Sequence, residues 1–301
     1  MSIQLFESPI SGLVRVSGED ALPYLQSQLT IDLHKLPAGR TRMGLRLSLK
    51  GKVLFGAQII CLNEDEFLLF CKDAPSQTVI NLLEQNVVAD EVEFATVTED
   101  WKEMVIYHPD SVEKACQAIG IASVPPGHAH AFEDGWAYLG PLVPPSALSI
   151  VLPQNCTTPW ASAFPSPHPS ELQRLRLQQE LFLPGREIGE DEFPQEGGLH
   201  KSFVDFNKGC YLGQEVMARI HAMGNVRKQA FAITGRGSVT GNLPTALFAN
   251  GKKVGSLKSQ FVLPDQKQWI GAAVLHENAV HTLQNQGVLI EATGQSIHPL
   301  I

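Results

Sequence analysis

Between residues 123 and 169, proline and glycine recur too densely for a regular helix to persist. Pro125, Pro126, Gly127, Gly140, Pro141, Pro144, Pro145, Pro153, Pro159, Pro165, Pro167 and Pro169 all fall in this window. A proline inside a helix removes a backbone donor and clashes with the preceding turn. Short strands, around 136–139 and 148–152, are what remains there. After this window, Ser170 followed by Gln173 resembles a capping box. It opens a helix through Leu172, Leu175 and Leu181, which Pro184-Gly185 stops. From 226 to 301 the chain reads as short antiparallel strands, with turns at Gly235, Gly241, Asn250-Gly251 and Gly287. That pattern predicts a small antiparallel β-barrel or sandwich, with a domain boundary near Gly224-Asn225.

The first hundred residues alternate hairpins with helices. Residues 13–16 read as a strand, and Ser17 or Gly18 then opens a helix carrying Ala21, Leu22, Leu25 and Leu29 at helical spacing. Leu45, Leu47 and Leu49 alternate with Arg46, Ser48 and Lys50, Gly51 turns the chain, and Val53, Phe55, Ala57 and Ile59 alternate on the return. A turn at 63–65 leads to the apolar run 67–71, a helix at 75–85, strands at 92–97 and 101–107, and a helix near 111–119. Such a mixture predicts an α+β fold, not a doubly wound parallel sheet.

At 301 residues the chain has room for about two domains, and a net charge of −8 gives no global pull toward nucleic acid or an anionic membrane. Lys201, Lys208, Arg219, His221, Arg227 and Lys228 form a local basic strip, read as a solvated face. The cysteines, Cys61, Cys71, Cys116, Cys156 and Cys210, are odd in number and lack a C-x-x-C pair. That argues against a disulfide framework and against a structural zinc site. The first nine residues do not read as a signal peptide, and no apolar run reaches the ~20 residues of a membrane span. The expectation is a cytoplasmic protein with neither nucleic acid nor membrane as a direct partner.

The chemistry concentrates in Lys208-Gly209-Cys210-Tyr211-Leu212-Gly213-Gln214-Glu215. A lone thiol stands between glycines, beside a cation, an aromatic ring, an amide and a carboxylate. Neighbouring positive charge favours the reactive thiolate, whereas a free cysteine in a tight turn is more often a small buried hydrophobe. A nucleophilic Cys210 needs a base within reach. His200 and His221 are each about ten residues away, and Glu215 is placed to orient Lys208 or Arg219. Other signatures fail: Gly235-Arg236-Gly237…Gly241 has the wrong spacing for a dinucleotide fingerprint, 209–213 is no P-loop, and no G-x-S-x-G elbow occurs.

These residues carry a resemblance. Phe193-Pro194-Gln195-Glu196-Gly197-Gly198-Leu199, Phe203, the octapeptide from Lys208 to Glu215, and Ala218-Arg219 are similar to the signature of YgfZ-type folate-binding proteins, relatives of the glycine-cleavage T-protein that support iron–sulfur enzymes. Gly18-Glu19-Asp20-Ala21, Leu25-Gln26-Ser27-Gln28-Leu29-Thr30, Asp32, Lys50-Gly51-Lys52 and Leu175-Arg176-Leu177 extend it over most of the chain, least over 100–165. The resemblance implies ferredoxin-like α/β subdomains (about 1–100, 101–168 and 169–225) around a central folate channel, followed by a C-terminal antiparallel β-barrel over 226–301. It implies tetrahydrofolate or a derivative as cofactor, iron–sulfur enzymes or assembly proteins as partners, and tRNA-modifying enzymes among those served. Cys210 becomes the reactive residue. Lys208, Gly209, Tyr211, Gly213, Gln214, Glu215, Arg219, Arg176 and Glu196 become folate contacts.

The chain also departs from the T-protein. That family's carboxylate pair is replaced here by Phe55-Gly56, and a helix glutamate by Gln178. General acid–base help with one-carbon transfer thereby loses its evident source. An aminomethyltransferase would have to use Asp32, Glu196 or Glu215 instead. A third reading is an interaction scaffold that has lost its ligand.

Overall fold

The computed structural model describes residues 2–8, 10–97, 101–224, 226–237, 242–264, 267–280, 283, 288–290 and 295–300. Gly241, Gly287 and Asn225, invoked above as turns and boundary, lie outside them. The first strand, β1 (Gln4–Ser8), is followed by β2 (Gly12–Ser17), α1 (Ala21–Gln28), β3 (Thr41–Leu47), β4 (Val53–Asn63), β5 (Glu66–Cys71), α2 (Ser76–Glu84) and β6 (Glu93–Thr96). Strands β3-β4-β5-β2-β6 form one antiparallel sheet. One of its faces packs on the two helices through Val14, Val16, Leu25, Phe55, Ile59, Phe67, Val79 and Leu83.

The hairpin of β3 and β4 follows the alternating sequence, pairing Leu45 with Gly56 and Arg46 with Phe55. Two details differ from the pattern. Leu49 falls beyond the strand, 76% exposed at the hairpin tip. Arg46, placed by alternation on a polar face, is buried, and its guanidinium donates to the carbonyls of Leu47 (2.7 Å) and Leu82 (3.3 Å). Both faces of β3 are covered, so its inward set of Met43, Leu45 and Leu47 packs with Leu177, Tyr211 and Met217.

A second sheet is built from β7 (Trp101–Tyr107), β8 (His130–Phe132), β9 (Gly135–Tyr138) and β10 (Ala147–Pro153), with α3 (Val112–Gln117) against it. Its order is β1-β7-β10-β9-β8. The first strand therefore pairs with β7, so a division near residue 100 does not separate the sheets by chain order. The proline-rich window carries these short strands and one 3₁₀ turn, Pro159–Ala163, with proline in its opening turn, where a missing N–H costs nothing. Helix α4 (Pro169–Leu177) is capped differently from the sequence pattern. The His168 ring nitrogen accepts the Ser170 N–H at 3.3 Å, so Ser170 lies inside the helix, which ends before Leu181.

Short helix α5 (His200–Phe203) and α6 (Gln214–Met223) precede the C-terminal strands β11 (Lys228–Arg236), β12 (Thr245–Ala249), β13 (Lys252–Val262), β14 (Gln268–His276), β15 (Val288–Ile290) and β16 (Ser296–Pro299). Pairing runs β11-β14-β13-β12-β15-β16, and β16 pairs back with β11. Gly235, expected at a turn, lies within β11 opposite Trp269, whose ring an added Cβ would overlap. Asn250-Gly251 does turn the chain, with φ of 50° and 74°. Among the described residues no helix is long and apolar enough to cross a membrane.

Candidate functional site

The octapeptide is built as two anchors with an exposed crest between them. Lys208 is buried, and its Nζ donates to the carbonyls of Gln26 (2.6 Å), Leu29 (2.6 Å) and Ile31 (2.8 Å), at and beyond the end of α1. The last carbonyls of a helix lack intrahelical donors and carry partial negative charge, which suits an ammonium. Burial pushes the Lys208 pKa down to about 8. With all three protons committed to main-chain oxygens, Lys208 acts as a clamp within the chain, and among the described residues it forms no ion pair with Glu215.

Tyr211 is the second anchor, buried in the cluster with Leu45, Leu47 and Met217. Burial raises its hydroxyl to about 12, and that hydroxyl has no hydrogen-bond partner. The Tyr211 N–H donates to Gln214 Oε1 (3.3 Å), and the Leu212 N–H to the Ser27 carbonyl (3.1 Å). Gly213 opens α6 at φ +82°, where a Cβ would lie 2.6 Å from the Ser48 carbonyl oxygen. Only glycine lets the hairpin turn approach this closely. Between the anchors, Gly209 and Cys210 are exposed.

No base is assembled at the thiol. His221 stacks on Phe206 with ring centroids 3.9 Å apart, and the half-buried His200 leaves Nδ1 unpaired. Burial, Lys201 and His221 together lower the His200 pKa. Among the described residues neither ring is hydrogen-bonded to Cys210. Glu215 and Arg219 are exposed on α6, and they form no ion pair among the described residues.

Arg176 is likewise turned inward. It holds the fully buried Glu187 through two bonds of 2.8 and 2.7 Å, and also donates to the Leu181 carbonyl and to Gln173. Glu187 in turn accepts from the Leu183 N–H (2.7 Å) and Ser259 Oγ (2.6 Å), which ties α4 to β13. Burial opposes ionisation of Glu187, yet Arg176 outweighs it and keeps the carboxyl below its usual range. This pair is structural. Glu196 accepts the Phe193 N–H at 3.0 Å, and burial raises its pKa.

A polar network behind the loop was legible only in part, through Thr30 and Asp32. Arg42 grips Asp205 through bonds of 2.6 and 2.8 Å, and Asp205 accepts the Asp32 N–H at 2.7 Å. Thr30 Oγ1 donates to the Phe203 carbonyl and accepts the Leu45 N–H. The loop is thus fixed to both α1 and β3.

Between the two sheets lies a narrow cavity of about 10 Å³, lined by Met43, Gln58, Phe70, Lys72, Tyr138, Gly140, Pro141 and Leu142. Lys72 reaches the buried Glu103 at 2.6 Å. Gln58 Oε1 and the Tyr138 hydroxyl find no partner, and Ser149 lies near Tyr138 but outside hydrogen-bonding geometry. These residues escaped the sequence reading. Their signal was polar side chains inside apolar strands.

The position of the missing acid is closed to replacement. Phe55 is fully buried in the core. A Cβ on Gly56 would lie 2.7 Å from Met43 Cε and 2.9 Å from Pro184 Cβ. No carboxylate fits there.

Residues 2–121 match the family described as the GCVT N-terminal domain. Glycine cleavage system aminomethyltransferase T from Bartonella henselae shares the fold, with a TM-score of 0.75 over 99% of this chain and 85% of that one at 19% identity. The family match covers residues 2–121, and the structural likeness shows that the fold is that of an aminomethyltransferase T-protein. The chain is similar to an aminomethyltransferase of Caldanaerobacter subterraneus subsp. tengcongensis, 25% identical over 300 residues, covering 90% of this chain and 76% of that protein. The mitochondrial iron–sulfur cluster assembly factor IBA57 of Homo sapiens is 26% identical over 278 residues, covering 82% of this chain and 72% of the relative.

Proposed function

We propose that this chain is a folate-binding accessory protein of the YgfZ type that supports the assembly or repair of iron–sulfur enzymes, tRNA-modifying ones among them. In this reading Cys210 is offered to a partner. The observation that carries it is the loop itself: an exposed thiol held between two buried anchors, Lys208 and Tyr211. A reactive residue used within its own chain gains from a base beside it. One offered outward gains from rigid support and exposure. The likeness to an iron–sulfur cluster assembly factor agrees with this use. Among the described residues no three His, Cys, Asp or Glu side chains gather into a metal site. One thiolate supplies a single ligand, so any cluster contact draws its remaining ligands from elsewhere.

Folate binding rests on the inter-sheet cavity. The unpaired Gln58 carbonyl oxygen and Tyr138 hydroxyl suit the donor and acceptor edge of a pteridine, while Met43, Phe70 and Leu142 suit its faces. The volume of about 10 Å³ holds no more than a water, so the ring enters only as the two sheets part. Bound folate would supply a one-carbon carrier or a redox-active heterocycle. The chain's own part is to orient it.

Aminomethyl transfer is the weaker reading. Gly56 leaves no room for the acid, and the candidate substitutes are spent or remote. Asp32 is held by Lys35 (2.8 Å) and Gln26 (3.1 Å), Glu196 caps a turn, and Glu215 faces solvent. An anaerobic calorimetric titration with tetrahydrofolate tests the binding. Saturation at roughly micromolar affinity, about −8 kcal/mol, lost on Tyr138→Phe with Gln58→Leu, is expected. Undiminished binding by that double variant would remove the inter-sheet cavity from the account.

A further inference from the structure

The basic strip that reads as a solvated face in the sequence is joined in the fold by the tip of the β3–β4 hairpin. A Cβ on Gly51 would lie 3.1 Å from Val216, and one on Gly213 would meet the Ser48 carbonyl, so residues 48–52 sit against the start of α6. Lys52 and Lys228 both donate to the Asp191 carbonyl, at 3.0 and 3.4 Å, which brings the first residue of β11 to the same hairpin. Over 48–52 and 206–228, Lys50, Lys52, Lys208, Arg219, Arg227 and Lys228 stand against Glu215 alone, in a chain whose net charge is −8. Lys208 spends its ammonium on carbonyls, and Lys52 lies within electrostatic reach of Glu192 and Glu196. Lys50 and Arg219 are exposed, and among the described residues neither forms an ion pair.

Apolar side chains stand among these cations. Leu49 at the hairpin tip is 76% exposed, and Met223, the last residue of α6, is 72% exposed. The helix between them runs about 15 Å. It buries only Met217 fully, and Ala218, Arg219 and Ala222 are exposed along it. Cys210 is exposed just before its start. An apolar centre with a charged rim is the composition of a protein-binding patch. The sign of the rim selects a surface of opposite sign, since like charges set face to face repel. Nucleic-acid surfaces call for a more uniformly positive face, with no use for Leu49 and Met223.

We propose that the face made by the hairpin tip and α6 docks an acidic, partly apolar surface of the protein that receives Cys210. Leu49 and Met223 bury against its apolar part, and Lys50 and Arg219 pair with carboxylates at its edge. This rests on the reading that the thiol is offered to a partner, and adds what that partner presents. Docking orients the exposed thiol, and the attraction of opposite charges raises the rate of encounter.

Charge reversal by Lys50→Glu with Arg219→Glu tests the face, read as the modified nucleoside in tRNA from cells that carry only the variant chain. The iron–sulfur-dependent modification should fall about tenfold. The urea midpoint, and the rate of Cys210 alkylation by neutral iodoacetamide, should not change. The purified chain is also treated with dithiobis(nitrobenzoate), a dianionic disulfide, and with neutral dithiodipyridine, and attack by Cys210 is read by mass spectrometry. The ratio of anionic to neutral rates should fall about threefold between about 10 mM and about 500 mM salt, and charge reversal should lower it as much. Full restoration of the modification by the charge-reversed chain overturns the proposal, as does a rate ratio indifferent to salt. Salt-sensitive binding of tRNA by the wild type, lost in the same variant, also overturns it and makes the face an RNA surface. Restoration by the charge-reversed chain but not by Cys210→Ala sinks the docking face alone. The reverse pattern sinks the role of the thiol and leaves the docking face standing.

Discussion

Replacing Lys208 with methionine tests the loop's construction most severely. Methionine keeps an unbranched stem of similar bulk and removes only the ammonium. Three carbonyls, of Gln26, Leu29 and Ile31, then lose donors at 2.6, 2.6 and 2.8 Å. Bonds from a charged donor contribute roughly 1.5–3 kcal/mol each, net of the exchange with water. Burial of the ammonium, which pushes its pKa down to about 8, places the three at the low end of that range. The expected destabilisation is therefore about 4 kcal/mol. Equilibrium urea unfolding followed by circular dichroism measures it, and hydrogen exchange at the end of α1 localises it. Exchange should rise at 25–31 before it rises elsewhere. A loss below about 1 kcal/mol, with α1 exchange unchanged, would mean that those carbonyls find water readily and that Lys208 does not hold the loop.

Further outcomes are fixed by the same geometry. Alkylation under native conditions, read by mass spectrometry, should modify Cys210 first and Cys156 next. Cys71 should be protected because it is fully buried and its thiol is pushed up by that burial; early labelling of Cys71 would contradict the packing of β5. Gly213→Ala adds a Cβ 2.6 Å from the Ser48 oxygen at φ +82° and should cost about 2–3 kcal/mol in urea unfolding, whereas Gly209→Ala, with open space around it, should cost under about 1 kcal/mol. The Asp32 carboxyl is held below its usual range first by the Lys35 bond; for Asp205, burial is outweighed by Arg42 and the Asp32 N–H. Both groups have folded pKa values below their unfolded ones. Their stabilisation is therefore present above about pH 4 and lost as pH falls through the folded values. The urea midpoint of Asp205→Asn should vary less between pH 5 and 2 than that of the wild type, and equal slopes would refute the assignment.

The β3–β4 hairpin was legible because a half-buried strand alternates, and 45–59 alternate plainly. Arg46 broke the pattern because β3 has a second covered face, and alternation cannot reveal what packs on the far side of a strand. The α4 cap slipped by two residues because His168, not Ser170, supplies the acceptor. Gly235 read as a turn, yet its reason is the Trp269 ring across the ladder. At the site the sequence located the loop and its cysteine but misjudged the direction of its cations. Adjacency of Lys208 to Cys210 suggested an activating charge. The ammonium instead points to carbonyls 182, 179 and 177 residues away. The inward turn of Arg176 was hidden for the same reason, since its partner Glu187 and the Ser259 behind it meet only in the folded chain. The polar groups between the sheets, Gln58, Lys72, Glu103 and Tyr138, are scattered over three strands of two sheets and the residue just after β5. Nothing local marks them as neighbours.

The central claim is that Cys210 is presented outward to sustain iron–sulfur enzymes. It is tested most directly by the activity of an iron–sulfur-dependent tRNA-modifying enzyme in cells lacking this chain, read as the modified nucleoside in isolated tRNA. Wild-type chain should restore the modification, and Cys210→Ala, present at equal level and equally stable, should not. Full restoration by Cys210→Ala would contradict the account and leave the loop a structural clamp without a chemical role.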